Sequence, residues 1–339
     1  MGHRQRRRRA EYLVVGAGPA GTTVARLLAR KGRKVVVIDP GSRAAKRLEL
    51  LAPASLGTIA ALGLSPLLED PAIARPCLGI RRLWNKAEPE YEDFLRHPYR
   101  TGYVIDRAGF DGRLHAAAAA AGVQFYQARV SGVEAGGGIR VQAGDSGAGI
   151  KAFGHAVIDA TGRAAMIARR NGACVTLRDR MVAELVEQAV IESGENTPRW
   201  LDVAKHGSSW SYRIHGPVGQ ALTWRIRRSG MQPVANALLR VDASAGMLSA
   251  AAGEGWIAVG DAASAFDPIA SQGLFNALSS ALVATGALLS ADGLSPAAAR
   301  LYSDAVAATF SWSEAGRSNI YGRDIHGSLI TQRFQRFTF

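Results

Sequence analysis

Residues 12–21 read Tyr12-Leu13-Val14-Val15-Gly16-Ala17-Gly18-Pro19-Ala20-Gly21. The four leading residues predict a short buried strand, and the Gly-x-Gly-x-x-Gly spacing after them predicts a tight turn into a helix. In such a unit the first glycine permits the turn, the second lets the backbone approach a pyrophosphate, and the third allows close helix–strand packing. We therefore predict a dinucleotide contact at Gly16, Gly18, Pro19, Ala20 and Gly21.

A second strand, from Lys34 to Ile38, follows the predicted helix and ends at Asp39. This acid comes 18 residues after Gly21, and its carboxylate can accept hydrogen bonds from both hydroxyls of a ribose. Strand, glycine turn, helix, strand and acid together form a βαβ dinucleotide-binding unit. The unit predicts an α/β fold, but it does not distinguish FAD from NAD.

Two later segments also end a predicted strand in a polar turn. The first contains Asp159 and Gly162, and the second ends in Gly260-Asp261. After the second, the chain continues into a helical pattern through the run Asp267-Pro268-Ile269-Ala270-Ser271-Gln272-Gly273. A helix that begins there directs backbone N–H groups at an electron-rich ring. The predicted cofactor contacts therefore extend to Asp159, Gly162, Gly260, Asp261, Gln272 and Gly273.

Three motifs in this order resemble the FAD-binding domain of the glutathione-reductase and hydroxybenzoate-hydroxylase superfamily. The resemblance implies a Rossmann-like FAD domain with an inserted small antiparallel substrate sheet and a C-terminal helical segment. We place a disordered basic tail at 1–10, the FAD domain at 11–79, 101–175 and 250–300, the substrate domain at 80–100 and 176–249, and C-terminal helices at 301–339. The substrate sheet is expected to contain a hairpin formed by residues 210–214 and 221–226.

The Asp-Pro-x-x-Ser-x-Gly run and residues 210–215 resemble flavin-dependent tryptophan halogenases more than hydroxybenzoate hydroxylase. Trp210 and Ile214 match the halogenase Trp-x-Trp-x-Ile-Pro signature, whereas Tyr212 and His215 replace its second Trp and its Pro. Halogenases also need a relay lysine; residues 66–85 contain none, and Lys86 is the only nearby candidate.

A third resemblance is to the maturase flavoproteins of quinone-cofactor amine oxidases and dehydrogenases, which oxygenate tryptophan within a protein or peptide. It rests on residues 80–84, 93–98, 107, 110–111 and 271–273. It implies an FAD-dependent monooxygenase that hydroxylates an aromatic substrate, with tryptophan, free or in a peptide or protein, as one candidate. The reaction would use O2 and run through a flavin C4a-hydroperoxide.

The resemblances imply roles for four residues at the reaction site. Pro268 would cover the flavin face, Trp210 and Tyr212 would wall the substrate, and His215 is a candidate base, together with His97 and His206. Arg107 would contact the flavin near its ribityl phosphate; the alternative is an ordinary helix-start arginine paired with Asp106 or Asp111.

Several functional alternatives stay open. Electrons would come from NAD(P)H or from a partner flavin reductase, since no second glycine fingerprint is present. The rival activities are flavin-dependent halogenation and FAD-dependent reduction of the geranylgeranyl-reductase type. A fourth possibility is a non-catalytic flavin-bound protein that docks through its basic tail. Hydrolase chemistry is disfavoured because no strand–nucleophile–helix elbow occurs.

Composition limits the class of protein. The 339 residues include 47% hydrophobic and 20% charged residues, which is typical of a soluble globular chain. We expect no membrane span, no metal site, free thiols at Cys77 and Cys174, and a cytoplasmic location. Of the net charge of +13, Arg4 and Arg6–Arg9 contribute five. We interpret them as a solvated terminus and expect no nucleic acid partner.

Overall fold

The computed structural model describes residues 7–41, 48–134, 138–142, 149–191, 199–290 and 294–321. Seven α-helices occur within these ranges: α1 Pro19–Arg30, α2 Leu56–Ala61, α3 Pro66–Glu69, α4 Arg107–Ala120, α5 Met166–Arg170, α6 Gly273–Leu289 and α7 Pro296–Tyr321. Short 3-10 turns include Pro217–Gly219, Gly260–Ala262 and Pro268–Ala270.

The strands, in chain order, are β1 Arg7–Arg9, β2 Tyr12–Val15, β3 Val35–Asp39, β4 Leu48–Leu51, β5 Ala74–Cys77, β6 Gly79–Leu83, β7 Glu90–Asp93, β8 Gly102–Asp106, β9 Gln124–Gln127, β10 Arg129–Glu134, β11 Gly138–Gln142 and β12 Gly149–Phe153. They continue as β13 Ala156–Asp159, β14 Val175–Leu177, β15 Met181–Val190, β16 Trp200–His206, β17 Ser209–His215, β18 Gln220–Arg228, β19 Leu239–Asp242, β20 Gly246–Leu248, β21 Ala252–Gly253, β22 Trp256–Ala258 and β23 Ser264–Ala265.

A six-stranded sheet carries the glycine motifs, in the order β21-β22-β13-β2-β3-β9. Its five strands from β22 to β9 are parallel, so the three predicted motif turns emerge at one edge of the sheet. The central strands β13, β2 and β3 are short runs rich in Val and Ile and are almost fully buried, as expected for a parallel sheet covered on both faces. Helix α1 packs against α6, which begins beside the same edge. The predicted βαβ unit is present, with Asp39 as the last residue of β3.

A separate four-stranded sheet has the order β1-β12-β11-β10. Arg7–Arg9 pair in parallel with residues 151–153 of β12. These three arginines were predicted to lie in a disordered tail; they form a strand instead, because the free edge of β12 offers unpaired backbone groups. Residues 1–6 of the predicted tail lie outside the described residues.

We call the edge of the six-stranded sheet at which the three motif turns emerge the motif edge. A seven-stranded sheet lies beside it, in the order β19-β15-β18-β17-β16-β6-β7. The pairs β15–β18, β18–β17 and β17–β16 are antiparallel, and β6 joins β16 in parallel. One face of the sheet is apolar and packs inward, as alternation along each strand requires. The hairpin predicted from residues 210–214 and 221–226 is formed by β17 and β18.

Helix α7 is a single element within the described residues, and 322–339 of the predicted C-terminal helices lie outside them. Its side chains Ala299, Tyr302 and Val306 join the core of the six-stranded sheet. At its other end, Ile320 and Tyr321 pack against the apolar face of the seven-stranded sheet. The helix therefore contacts both large sheets.

Val218, in the turn between β17 and β18, offers a first test of the fold. It has φ 47° and ψ 38°, a left-handed conformation that is rare for a β-branched residue, and its side chain is 63% exposed. We expect Val218→Gly to raise the free energy of unfolding by about 0.5–1 kcal/mol, since the relieved strain exceeds the added chain entropy. Urea unfolding measures this change.

The matched control is Val190→Gly, because Val190 is also exposed but lies in regular strand β15. Glycine in a strand lowers stability. The interpretation of strain at Val218 fails if both variants lose stability by the same amount.

Candidate dinucleotide site and aromatic cleft

The first glycine turn is closely packed at Gly16 and Gly21 and open at Gly18. Gly16 has φ +105°, and a Cβ there would collide with the carbonyl of Ala160. A Cβ at Gly21 would collide with the carbonyl of Gly16. By contrast, a Cβ on Gly18 would meet no described atom within 4 Å. Gly18 caps the N-terminus of α1, so the space beside it is where a phosphate group would meet backbone N–H groups.

Asp39 supports this turn directly. Its Oδ2 accepts a hydrogen bond from the N–H of Ala17 at 2.9 Å, and its Oδ1 accepts one from Gly41 at 2.7 Å. A carboxylate has about four acceptor positions, so the side chain keeps capacity for ribose hydroxyls. Pro19 and Ala20 begin α1 next to it. These residues fit a dinucleotide, as the sequence predicts.

Asp159 has a structural role that differs from the predicted one. Its side chain is fully buried, and one oxygen accepts from the N–H and hydroxyl of Thr161. The other oxygen accepts from the N–H groups of Ile167 and Ala168 at 2.8 and 2.9 Å. Four donors fill its acceptor positions. Asp159 thus shapes the turn in which Gly162 faces open space, and its contact with the cofactor stays a prediction.

The third strand-end motif brings a cation that sequence reasoning missed. Gly260 packs against Ala20 and donates its N–H to Ser280 Oγ at 2.8 Å, which ties the motif to α6. Asp261 is half-exposed beside this turn, and Arg163 Nε lies 3.7 Å from its carboxylate. Arg163 also donates to the carbonyl of Ser244. The guanidinium thus lies where it can contact a ligand held by Asp261. The only sequence signal was its position directly after Gly162.

Arg107 is held by carboxylates. Its Nε and Nη2 donate to Asp111 at 3.0 and 2.9 Å, and its Nη1 donates to Glu49. These two anions raise the pKa of the guanidinium despite its burial. The structure thus matches the alternative of an arginine at a helix start paired with Asp111. The predicted contact of Arg107 with a ribityl phosphate stays a prediction.

The turn before α6 has a strained backbone. Ser271 adopts φ 50° and ψ 34°, a left-handed conformation that reverses the chain between Pro268–Ala270 and the helix. Gln272 is the N-cap residue of α6 and makes no side-chain cap hydrogen bond in the described structure. Such strain commonly occurs at functional turns. The turn places Gln272 and Gly273 in one wall of a cleft.

A cleft of about 190 Å³ separates this turn from the seven-stranded sheet. On the sheet side its walls include Trp210, Tyr212 and Trp224, and on the other side they include Pro268 and Gly273. Sequence analysis identified all of these residues except Trp224, which pairs across the hairpin with Tyr212. The cleft can therefore accept a flat aromatic group between aromatic walls and a helix N-terminus.

The histidines do not form part of these walls. His215 is buried, but its odd position on β17 directs it to the face opposite Trp210 and Tyr212, and its Nδ1 has no hydrogen-bond partner among the described residues. His215 therefore does not line the cleft, and its role as a base stays a prediction. His206 bonds Ser211 on that same outer face, and His97 stacks on Tyr99 away from the cleft lining.

Lys86, the remaining predicted candidate, also lies away from the cleft. Lys86 is exposed and pairs with Glu90 at 2.6 Å. Cys77 is buried, which raises the pKa of its thiol to about 11, whereas Cys174 is exposed. No three His, Cys, Asp or Glu side chains in the described ranges are grouped to hold a metal ion.

Asp267 is one of several titratable groups that line the cleft. Its carboxyl is 2% exposed, and burial raises its pKa to about 6. The hydroxyl of Tyr321, on the last turn of α7, lies 3.1 Å from Asp267 Oδ2 and 2.8 Å from the indole nitrogen of Trp210. The motif run contained Asp267, but the contact with Tyr321 spans 54 residues and has no local sequence signal.

Comparison with known proteins supports the fold. A family model described as an NAD(P)-binding Rossmann-like domain matches residues 14–48. No curated protein sequence matches the chain. Among the described helices, none combines the length and apolar character that a membrane crossing requires.

Solved structures resemble almost the whole chain. BrvH, a flavin-dependent halogenase from Brevundimonas sp. BAL3, has a TM-score of 0.79 at 17% identity, over 94% of this chain and 80% of that one. The peptidyl tryptophan dihydroxylase QhpG has 0.73 at 23%, over 94% and 76%. A geranylgeranyl bacteriochlorophyll reductase-like protein from Thermoplasma acidophilum has 0.72 at 21%, over 94% and 88%. The predicted fold class and its resemblance to flavoenzymes of this architecture are confirmed.

Proposed function

We propose that the chain is an FAD-dependent monooxygenase that hydroxylates an aromatic substrate. The observation that carries this proposal is the cleft, where an aromatic wall faces the turn at the N-terminus of α6. Structural likeness to a tryptophan dihydroxylase and to flavin-dependent halogenases supports FAD as the dinucleotide. Tryptophan, free or within a peptide or protein, is the proposed substrate.

The residues present fit FAD along the motif edge of the six-stranded sheet. Gly18 and the N-terminus of α1 would hold the pyrophosphate, Asp39 the ribose, and Asp261 the ribityl chain. Gln272 and Gly273 would face the pyrimidine end of the flavin ring. When bound and reduced, FAD supplies the two electrons that activate O2. The overall reaction inserts one oxygen atom into the aromatic ring and releases the other as water, with two protons consumed.

The side chains of this protein would position the substrate and exclude water. Trp210, Tyr212 and Trp224 form a largely buried wall that fixes the plane of an aromatic ring. Pro268 presents an apolar surface on the opposite side, which keeps bulk water from the reacting atoms. The N–H groups at the start of α6 would favour negative charge on a flavin bound there. Electrons would come from NAD(P)H or from a flavin reductase.

Halogenation of the same ring is the second candidate. The TM-score of 0.79 with a halogenase favours it. Against it, Lys86, the lysine nearest to the relay position in sequence, is exposed and paired with Glu90.

The test is to load the protein with FAD, reduce it with a flavin reductase and NADH, and add 18O2 with free tryptophan or a tryptophan-containing peptide. Mass spectrometry should show one or two 18O atoms in the product. Addition of bromide should leave that product unchanged. If brominated tryptophan is the main product, the chain is a halogenase and not a hydroxylase. If the protein does not bind FAD, both activities are excluded.

Tyr212 gives a site-specific prediction. Tyr212→Ala removes one partly buried wall of the cleft, so we expect kcat/KM for the aromatic substrate to fall about tenfold, which corresponds to about 1.4 kcal/mol. The Kd for FAD should not change, because Tyr212 lies on the sheet side. Tyr91→Ala is the control, since Tyr91 is 58% exposed on β7 of the same sheet. Equal losses in both variants would contradict the role of Tyr212.

A further inference from the structure

The last turn of α7 makes a continuous hydrogen-bonded connection across the cleft. Trp210 Nε1 donates to the hydroxyl oxygen of Tyr321 at 2.8 Å. The same hydroxyl donates to Asp267, at 3.1 Å from Oδ2 and 3.3 Å from Oδ1. The substrate wall and the turn at Pro268 are thus joined through one phenol that belongs to neither.

Arg317, one helical turn before Tyr321, adds a second link. Its Nη1 lies 2.7 Å from Asp179 Oδ2 and 3.6 Å from Asp267 Oδ2, and its Nη2 lies 3.0 Å from Glu314. Its guanidinium carbon is 5.6 Å from the ring centroid of Tyr321. Residues four apart lie on one face of a helix, so both side chains approach Asp267 together.

The position of the Asp267 carboxylate determines the position of the turn. Its Oδ1 accepts the N–H of Ile269 at 2.9 Å and so caps the turn Pro268–Ala270. Pro268 lines the cleft directly after it. A change in what holds this carboxylate would therefore shift the turn that faces the cofactor.

The end of α7 is firmly docked. The ring of Trp84 meets the ring of Tyr321 edge-on at 5.8 Å, and Ile320 packs on the same apolar sheet face. We propose that Tyr321 and Arg317 are positioning residues that hold the Asp267 carboxylate, and that its protonation controls the coupling between the aromatic wall and the Pro268 turn. This role rests on the proposed function only for the identity of the molecules that bind in the cleft.

The groups around Asp267 determine the pH range in which its carboxyl changes protonation state. Burial raises its pKa to about 6; the Ile269 N–H, Arg317 and Tyr321 lower it, and Asp179 raises it. Another nearby cation, Arg163, donates to the carbonyl of Phe266, the residue before Asp267, at 3.5 Å. Near pH 7 the carboxylate is charged and attracts Arg317. Near pH 5 it is protonated, and that attraction is lost.

The test measures the 19F NMR signal of the Trp210 ring as a function of pH, and it does not require enzymatic activity. The full chain is labelled with 5-fluorotryptophan, and Trp210→Phe identifies its 19F resonance. We expect this resonance to titrate with a midpoint near pH 6. Asp267→Asn should abolish the titration. Tyr321→Phe keeps the ring but breaks the connection, so the Trp210 resonance should no longer respond.

Two substitutions should move the midpoint in opposite directions. Arg317→Gln removes a cation and leaves Asp179 unbalanced, so the midpoint should rise by about 1 pH unit. Asp179→Asn removes an anion and frees Arg317 for Asp267, so it should fall. Arg113→Gln is the control, because the side chain of Arg113 on α4 is 63% exposed and pairs with Asp70 rather than with Asp267. Shifts in the same direction, or a Tyr321→Phe variant that titrates as wild type, would overturn the proposal.

Failure of the proposed function gives a different result. If the chain binds no FAD or hydroxylates nothing while the opposite shifts appear, the positioning role stands and the activity is wrong. If hydroxylation is found while the shifts are missing, the positioning role is wrong. In FAD-loaded protein, the flavin absorbance should change with the same midpoint.

Discussion

Replacement of Gly18 by valine is expected to abolish FAD binding while the protein stays folded. A Cβ at Gly18 meets no described atom within 4 Å, so the free protein can accept a side chain there. Its backbone, with φ −70° and ψ 179°, is extended, a conformation that valine readily adopts. The added methyl groups would fill the space that the pyrophosphate needs. We expect the Kd for FAD to rise at least about a hundredfold, or about 2.8 kcal/mol.

Thermal unfolding of the FAD-free protein separates binding from folding. Gly18→Val should cost no more than about 1 kcal/mol, the loss from a poorer helix N-cap. Gly21→Val should instead unfold at lower temperature even without FAD, because its Cβ collides with the carbonyl of Gly16. Gly112→Val on α4 is the matched control, since Gly112 also has open space but lies away from the motif edge.

Flavin fluorescence quenching gives the Kd for each variant. Normal FAD affinity in Gly18→Val would show that the pyrophosphate lies elsewhere, and the assignment of the first glycine turn would then be wrong. Loss of affinity in Gly112→Val as well would point to a general effect of glycine replacement.

The sequence predicts the six-stranded sheet well because the information is local. A strand, a glycine turn, a helix and an acid lie within 28 residues, from Tyr12 to Asp39, and each has a distinct pattern. The aromatic wall was also predictable, since Trp210 and Tyr212 share one face by alternation. The same alternation places His215 on the opposite face of the strand, because its number is odd. The sequence therefore already indicated that His215 lies outside this wall.

Other features depend on contacts that a single sequence does not show. Asp159 resembles a ligand-binding acid, but four donors from its own turn and the following helix satisfy it. Arg107 resembles a free cation, but Glu49 from a distant strand pairs with it. The contact between Trp210 and Tyr321 spans 111 residues. For Asp159 the partners are local backbone donors, and for Arg107 and Trp210 they include residues 58 and 111 positions away. None of these polar contacts leaves a periodic pattern in the sequence.

Glu184→Gln is expected to have the largest effect on stability. The Glu184 side chain is fully buried on the outer face of β15, where its oxygens accept from Arg227 at 2.8 and 3.0 Å, from Arg240 at 2.9 Å and from the N–H of Val234 at 3.0 Å. A glutamine amide would turn a donor toward these guanidiniums and leave Arg227 buried without its anion. Loss of one partner of a buried ion pair costs about 3–5 kcal/mol.

The dependence of this effect on pH follows from the same contacts. The hydrogen bonds from Arg227 lower the pKa of Glu184 to about 2 in the folded protein, from an ordinary value of 4.5. The contribution of the charged form is therefore complete above about pH 4.5 and is lost as the pH falls toward 2. Urea unfolding should show the full difference between wild type and Glu184→Gln at pH 7 and a smaller one at pH 3.

Glu187→Gln is the matched control for this charge network. Glu187 is also on β15 and pairs with Arg213 at 3.2 Å, but both side chains are at least 40% exposed. An exposed pair contributes about 0–1 kcal/mol, so this variant should unfold close to wild type. The difference matters for the cleft because Ala183 and Leu185, on either side of Glu184, pack into the apolar face that carries the aromatic wall. Equal stability of the two variants would mean that the network does not hold this face in place.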